Sequence, residues 1–299
     1  MIAAESKERY LAAFEQSQSN GNGAAPAWLK ELRRDGIASF AAQGFPTTKS
    51  EEWKYTSVEP IASLPLAQTQ GSERRVDTDE ILARSFADTA CPRLVFINGV
   101  WAREFSFVQD LPRGVRLASL AELIKQDAPL LSEQLGRHAN YRRQAFVALN
   151  TAFMGDGAVV VIPPGCCLAQ PIYLIYASSP GVGPLVSHPR TLIFLGAGSA
   201  AKIIESYVSV EEGAYFCNAV TELIGEADSL ADYYRLQREG RAAFHTGTFD
   251  ADLDRGARLT AHAVILGGSL IRNNVHVALN GEGAECVLNG LYLAGDKQH

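Results

Sequence analysis

Apolar side chains change their spacing near the middle of the chain. Before residue 150 they recur at helical intervals: Trp28, Leu29 and Leu32, then Ile37 and Phe40, later Leu131, Leu135, His138 and Arg142, and finally Phe146, Leu149 and Phe153. Steps of three and four residues line one face of a helix. Pro26 suits a first helical position, Gly36 is placed to stop the turn, and a second short segment runs on to Gly44 before Pro46. Thr48-x-x-Glu51 matches a capping box that opens a helix or turn at Trp53. Arg93-Leu94-Val95-Phe96-Ile97-Asn98-Gly99-Val100-Trp101 reads as a strand, an Asn-Gly turn and a returning strand. Residues 1–150 are therefore expected to form an N-terminal, predominantly helical α+β region.

Over residues 151–299 the apolar runs shorten and begin to repeat. No charged residue stands between Asp156 and Arg190, a stretch long enough to cross a bilayer as a helix. Pro163, Pro164, Pro171, Pro180 and Pro184 interrupt it, and each removes a backbone donor that lipid could not replace. What is left, Val159–Ile162 and Ile172–Tyr176, reads as buried strand and not as a membrane span. Glycine also shifts, with 8 in residues 1–150 and 18 in residues 151–299. Phrases of a small residue, any residue and a mostly apolar one recur as Ser199-Ala200-Ala201, Asp228-Ser229-Leu230, Ala257-Arg258-Leu259 and Ala284-Glu285-Cys286. The anchors Ala201, Leu230, Leu259 and Cys286 are 29, 29 and 27 residues apart, and a looser copy, Gly165-Cys166-Cys167-Leu168, lies upstream. Blocks this short cannot bury an apolar face alone, so stacking them into a shared core predicts a β-helix-like solenoid, mainly β.

Charge narrows the partners. With 27 Lys and Arg against 33 Asp and Glu, a net −6, the 299-residue chain is not built to hold nucleic acid or an anionic membrane over a broad surface. Its five cysteines form no C-x-x-C pair and suit a reducing compartment. Glu5, Lys7, Glu8 and Arg9 interrupt the start before any secretory apolar run, which places the expected location in the cytoplasm.

Three patterns invite chemistry. Gly196-Ala197-Gly198-Ser199-Ala200-Ala201, after the strand-like Thr191–Leu195, resembles a dinucleotide-binding glycine loop, but the repeat makes it a coil corner. Asp250, Asp252 and Asp254 alternate on a strand and could hold Ca²⁺ or act as an acid/base pair on a glycan. That makes a β-helix carbohydrate-active enzyme the alternative function, although a solvated turn between coils is the preferred reading. Cys166, Cys167, Cys217 and Cys286, with His138, His188, His245, His262, His276 and His299, are the right types for iron, zinc or a cluster, without finger-like or ferredoxin-like spacing. Metal ligands stay unassigned, and no catalytic or cofactor-binding residue is named, because no triad order, nucleophile elbow or Walker sequence occurs.

Two distant segments carry a family resemblance. Ser50-Glu51-Glu52-Trp53-Lys54-Tyr55-Thr56, followed by Ile61, resembles the E-x-W-K-Y-T signature of the SufB/SufD family of the SUF iron–sulfur cluster assembly system, on its SufD side. Leu266-Gly267-Gly268-Ser269-Leu270-Ile271-Arg272-Asn273-Asn274, then Leu279-Asn280-Gly281-Glu282 and Asn289-Gly290-Leu291-Tyr292, resemble the family's core pattern. Pro164-Gly165 with Pro171–Leu174 is similar to the strand entering that core. The resemblance implies an N-terminal helical region, a right-handed parallel β-helix and a C-terminal helical domain. It also implies a non-enzymatic scaffold that pairs with SufB and the SufC ATPase and supports iron acquisition, with an iron–sulfur cluster present only transiently in the complex. Against that pattern the chain stops at Gly295–His299 inside the β-helix, so it is expected to be C-terminally truncated and to self-associate through the exposed rung.

Overall fold

The computed structural model describes residues 2–19, 25–65, 77–181, 185–295 and 298–299. Helices come first: α1 (Ile2–Ser19), α2 (Ala27–Gln43), α3 (Glu59–Ala62) and α4 (Thr78–Ser85). Short strands β1 (Arg93–Ile97), β2 (Val100–Trp101) and β3 (Arg116–Ser119) precede α5 (Leu120–Lys125), α6 (Pro129–Gln134) and α7 (Ala145–Phe153). Among the described residues every element after α7 is a strand: β4 (Ala158–Ile162), β5 (Ile172–Ser178), β6 (Leu185–Ser187), β7 (Arg190–Leu195), β8 (Ala200–Ser209), β9 (Tyr215–Gly225), β10 (Leu230–Arg238), β11 (Ala243–Leu253), β12 (Arg258–Leu266), β13 (Leu270–Leu279) and β14 (Glu285–Leu293).

From β7 on, successive strands alternate between two sheets. β8, β10, β12 and β14 stack in parallel in one, and β7, β9, β11 and β13 in the other, giving a parallel β-solenoid of about four turns. The first sheet continues through β5 and β1 to β2, and the second through β4 to β3. Of the prolines expected to break the uncharged stretch, Pro163, Pro164, Pro171 and Pro180 lie outside the strands, flanking β4 and β5, while Pro184 lies outside the described residues. No helix among the described residues is long and apolar enough to cross a membrane.

The repeat is anchored by backbone conformation and not by side-chain type. At one corner of each coil the chain passes through a left-handed residue: Gly165 (φ 70°), Gly198 (65°), Asp228 (60°), Gly256 (67°) and Gly283 (73°). Each of the first four donates its N–H to a carbonyl in the next corner, at 2.8–3.0 Å. Three residues after the corner the chain turns inward, so Ala201, Ala231, Leu259 and Cys286 share one interior column. The expected anchor Leu230 is therefore one residue out of register. It pairs with Ala200 and Arg258 and is 47% exposed, the inversion that a one-residue slip produces. Glycine tolerates this left-handed backbone without a Cβ penalty and Asp tolerates it as a single residue, which hid the corner at Asp228.

Three other expectations are corrected. Gly36 does not stop a helix: α2 runs through it, because α7 crosses so closely that a Cβ there would lie 2.8 Å from the Ala152 nitrogen. Thr48 caps nothing, since the turn Glu51–Trp53 starts from Ser50 and lacks a side-chain cap. The helical spacing from Leu131 to Phe153 is split between α6 and α7, and Leu135–Gln144 between them is not helical. Leu135, Ala139 and Tyr141 are nonetheless buried, so their spacing reflected burial and not a helix.

The helical region covers the solenoid. Tyr10, Phe40, Trp53, Ile61 and Phe146 pack with Phe216, Val220 and Leu270 of the second sheet. On the first sheet, Ile81 and Leu82 of α4 pack against Tyr173, Ile175 and Val208. Inside the coils Leu94, Leu174, Ile193, Ile203 and Leu223 are fully or nearly fully buried.

Candidate functional site

The two signature segments meet in space. Trp53, 7% exposed, lies against Phe146 with ring centroids 5.2 Å apart, and the Arg272 guanidinium sits 4.2 Å from the Trp53 centroid. Arg272 also donates to the Glu52 carbonyl, to Thr56 Oγ1 at 3.3 Å and to Asn274 Oδ1 at 3.1 Å. Thr56 Oγ1 is in turn 3.0 Å from His299 Nε2. The His299 backbone bridges Ser269 and Ile271 at 3.0 and 2.9 Å. An aromatic face and a half-buried guanidinium attract by about 0.5–2 kcal/mol. The E-x-W-K-Y-T turn is thus a clasp on β13. Its Lys54 and Tyr55 point outward, with Tyr55 83% exposed.

A polar chain runs through the solenoid interior, where strand alternation alone would suggest apolar filling. Glu205, fully buried, accepts hydrogen bonds from Thr191, Tyr207, Thr221 and Tyr233, and Arg235 lies 3.5 Å away. Arg235 donates to Tyr233, Thr221 and Asn273. Asn273 donates to Gln237, Gln237 to Glu239, and Glu239 accepts from Tyr215 and faces His245 Nδ1 at 3.1–3.3 Å. Burial alone would lower the Arg235 pKa, but Tyr233, Tyr207 and Glu205 together hold it above its ordinary value. Burial raises the hydroxyls of Tyr207 and Tyr215 well above theirs. No motif in the sequence marks this chain, since its members are scattered over separate repeats.

A second cluster holds the helical region to the second sheet. Arg190 and Glu222, both fully buried, pair at 2.7 Å, and Glu222 also accepts the backbone N–H groups of Gly136, His138 and Ala139. Burial pushes the Glu222 pKa up, but Arg190 and those N–H groups outweigh it, and the net direction is down. Asp252 pairs with His138 Nδ1, whose other nitrogen lies 3.1 Å from Gln134. Asp250 faces His276 at 3.4 Å.

These contacts relocate the sequence candidates. Asp250 and Asp252 do project from one side of β11, as alternation requires, but they are not in a solvated turn: Asp250 is 7% exposed beneath the helical region. Asp254 alone sits at a corner. Gly196–Ala201 is a coil corner leading into β8, not a loop opening a helix. Among the described residues no group of three or more His, Cys, Asp or Glu is placed to hold a metal ion. Cys286 stacks on Leu259, away from His262 and His276. Stacking does place one soft pair together, Cys217 beside His245, whose separation of 28 residues is one repeat. Burial raises the Cys217 pKa well above the thiol range, which keeps it protonated.

Comparison with known proteins agrees with this geometry. A family model described as the SufBD core domain of SUF system FeS cluster assembly matches residues 176–299, and one for the SufBD protein N-terminal region matches residues 4–174. An iron–sulfur cluster assembly SufBD family protein of Synechocystis is 26% identical over 293 residues, covering 95% of this chain and 64% of that protein. Protein ABCI7, chloroplastic, of Arabidopsis thaliana is 26% identical over 277 residues, 90% of this chain and 57% of that one. Iron–sulfur cluster assembly protein SufD of Escherichia coli is 24% identical over 282 residues, 94% and 61%. The chain thus spans about three fifths of the length of these curated relatives. Two family models that together take in both signatures, over a solenoid clasped by its N-terminal turn, establish that this chain belongs to the SufBD family of iron–sulfur cluster assembly proteins.

Proposed function

We propose that the chain acts as a scaffold subunit of the SUF assembly complex in the cytoplasm, pairing with SufB and the SufC ATPase to support iron acquisition. A cluster passes through the complex without being held stably by this chain. The carrying observation is the interior polar network. Glu205, Arg235, Gln237 and Glu239 are engaged with one another and with buried hydroxyls, the arrangement of a rigid polar core and not of a poised acid and base. Support for subunit pairing comes from the outer face of the first sheet. There Leu236, Val264 and Leu291 form one apolar row beside the stacked rings of Tyr234 and His262, with Leu291 56% exposed.

The test is copurification with SufB and SufC, together with cluster maturation in cells. The expected result is a stable complex that Val264→Asp with Leu291→Asp disrupts while the thermal transition of the isolated chain is kept. Failure of the folded chain to bind either protein would remove the assignment.

A further inference from the structure

We infer that the cavity under the Trp53 turn binds a small zwitterion of the free α-amino-acid class. The cavity, about 240 Å³, lies between that turn and the start of α7, and both signatures line it, Glu52 and Trp53 from one and Asn274 from the other. It falls below the roughly 300 Å³ at which drug-sized pockets begin, so its occupant is of metabolite size.

The polar groups around it are built but unanswered. Gly247 and Phe249 turn into the solenoid, so alternation on β11 directs Thr248 outward to the cavity. Thr248 is 2% exposed, and among the described residues its hydroxyl has no hydrogen-bond partner. Gln144 Oε1 is likewise buried without a partner. Asn274 spends its oxygen on Arg272, which leaves its NH₂ available. The nine-residue α7 (Ala145–Phe153) follows Gln144 without a side-chain cap, and its first residues, Ala145 and Phe146, line the same space at the positive end of the helix, with Arg143 at the exposed rim.

These groups sort by charge. Thr248, Asn274, Arg143 and the start of α7 donate to a carboxylate. Glu52 accepts from an ammonium. Trp53 and Phe146 supply an apolar floor for a side chain. An anion alone would confront Glu52, and a cation alone would confront Arg143 and the helix end. An uncharged apolar ligand would leave Thr248 unpaired, which costs affinity. The site needs this chain alone and stands independently of the partner assignment above.

Isothermal titration of the 299-residue chain with L-leucine, L-methionine and L-phenylalanine provides the test. N-acetyl-L-phenylalanine, L-phenylalaninamide and inorganic phosphate serve as probes that lack one charge. At least one free amino acid should bind saturably, and masking either charge should weaken it about tenfold, as a hydrogen bond to a charged group predicts. Thr248→Val should weaken binding about fivefold, the scale of one neutral hydrogen bond. Arg143→Gln, on the exposed rim, should weaken binding with an unchanged melting temperature, and it decides the matter if Thr248→Val does not fold. No saturation by any of the three up to about 10 mM, tenfold above a millimolar dissociation constant, overturns the inference. Equal binding of phosphate or of the masked analogues overturns it too, as does unchanged affinity in the folded variants.

Discussion

A charge without water has to be answered by its neighbours, and Arg190 and Glu222 answer each other beneath the helical region. Glu222→Gln should therefore cost about 3–5 kcal/mol in denaturant unfolding, the usual penalty for stranding one buried charge. A loss below about 1 kcal/mol, the scale of an exposed pair, would mean that the pair is not sealed from solvent. On the neighbouring strand, directly opposite Glu222, the same logic acts with opposite sign. Burial pushes Asp250 up to about 6, against the pull of His276 and with the push of Glu222. Its folded pKa exceeds the ordinary value of about 4, so the folded chain holds the proton more tightly than the unfolded one. That stabilisation is complete below about pH 4 and is lost as pH rises through about 6. Asp250→Asn keeps the neutral form throughout, so the variant should match the wild type near pH 4 and exceed it in unfolding free energy at pH 8. Asp252 behaves in reverse: the hydrogen bond from His138 holds its pKa down, and its contribution is lost as pH falls. Equal stability of Asp250→Asn and wild type at pH 8 would show that Asp250 is better hydrated than its burial implies.

Among elements, the corners and the α2–α7 crossing carry the specificity. Gly198 sits at φ 65° with nothing within 4 Å of where a Cβ would be, so Gly198→Ala isolates the backbone term. It should cost about 1–2 kcal/mol, and Gly198→Asn less, because Asn tolerates the left-handed region. Equal costs for the two would point to side-chain packing instead. Gly36→Ala tests the opposite case. On an exposed helix this change gains close to 1 kcal/mol, but here the new Cβ would meet α7 backbone at 2.8–3.0 Å, and the melting temperature should fall. The same elements show what the sequence revealed. The solenoid was legible because short apolar runs recurred at nearly constant spacing. Its register was legible only to within one residue, because the true anchor is a dihedral angle. At Asp228 that angle is occupied by a residue type that also belongs to ordinary turns.

At the scale of the molecule, the helical region and the solenoid are joined through residues far apart in sequence, and that is why the clasp could not be read in advance. The Trp53 turn and Arg272 were visible as separate signatures, but Arg272 and Thr56 are 216 residues apart, and spacing carries no information over that distance. The interior network escaped for a related reason: its members alternate along their strands as apolar residues would, and only their neighbours in adjacent coils give them partners. If the clasp couples the two parts, then Trp53→Leu and Arg272→Met should each destabilise the chain, while the double variant loses less than their sum. The coupling should be about 0.5–2 kcal/mol, the range for a cation over an aromatic face. Hydrogen exchange adds a positional readout. In Arg272→Met, amides of residues 53–56 should lose protection, because their turn is tied to β13 by Arg272 and by the Thr56–His299 contact. Amides of β9 and β11 should not, because they are held by strand pairing on both sides. Strict additivity with unchanged exchange at residues 53–56 would reduce the clasp to contacts that only accompany the packing of Trp53 on Phe146.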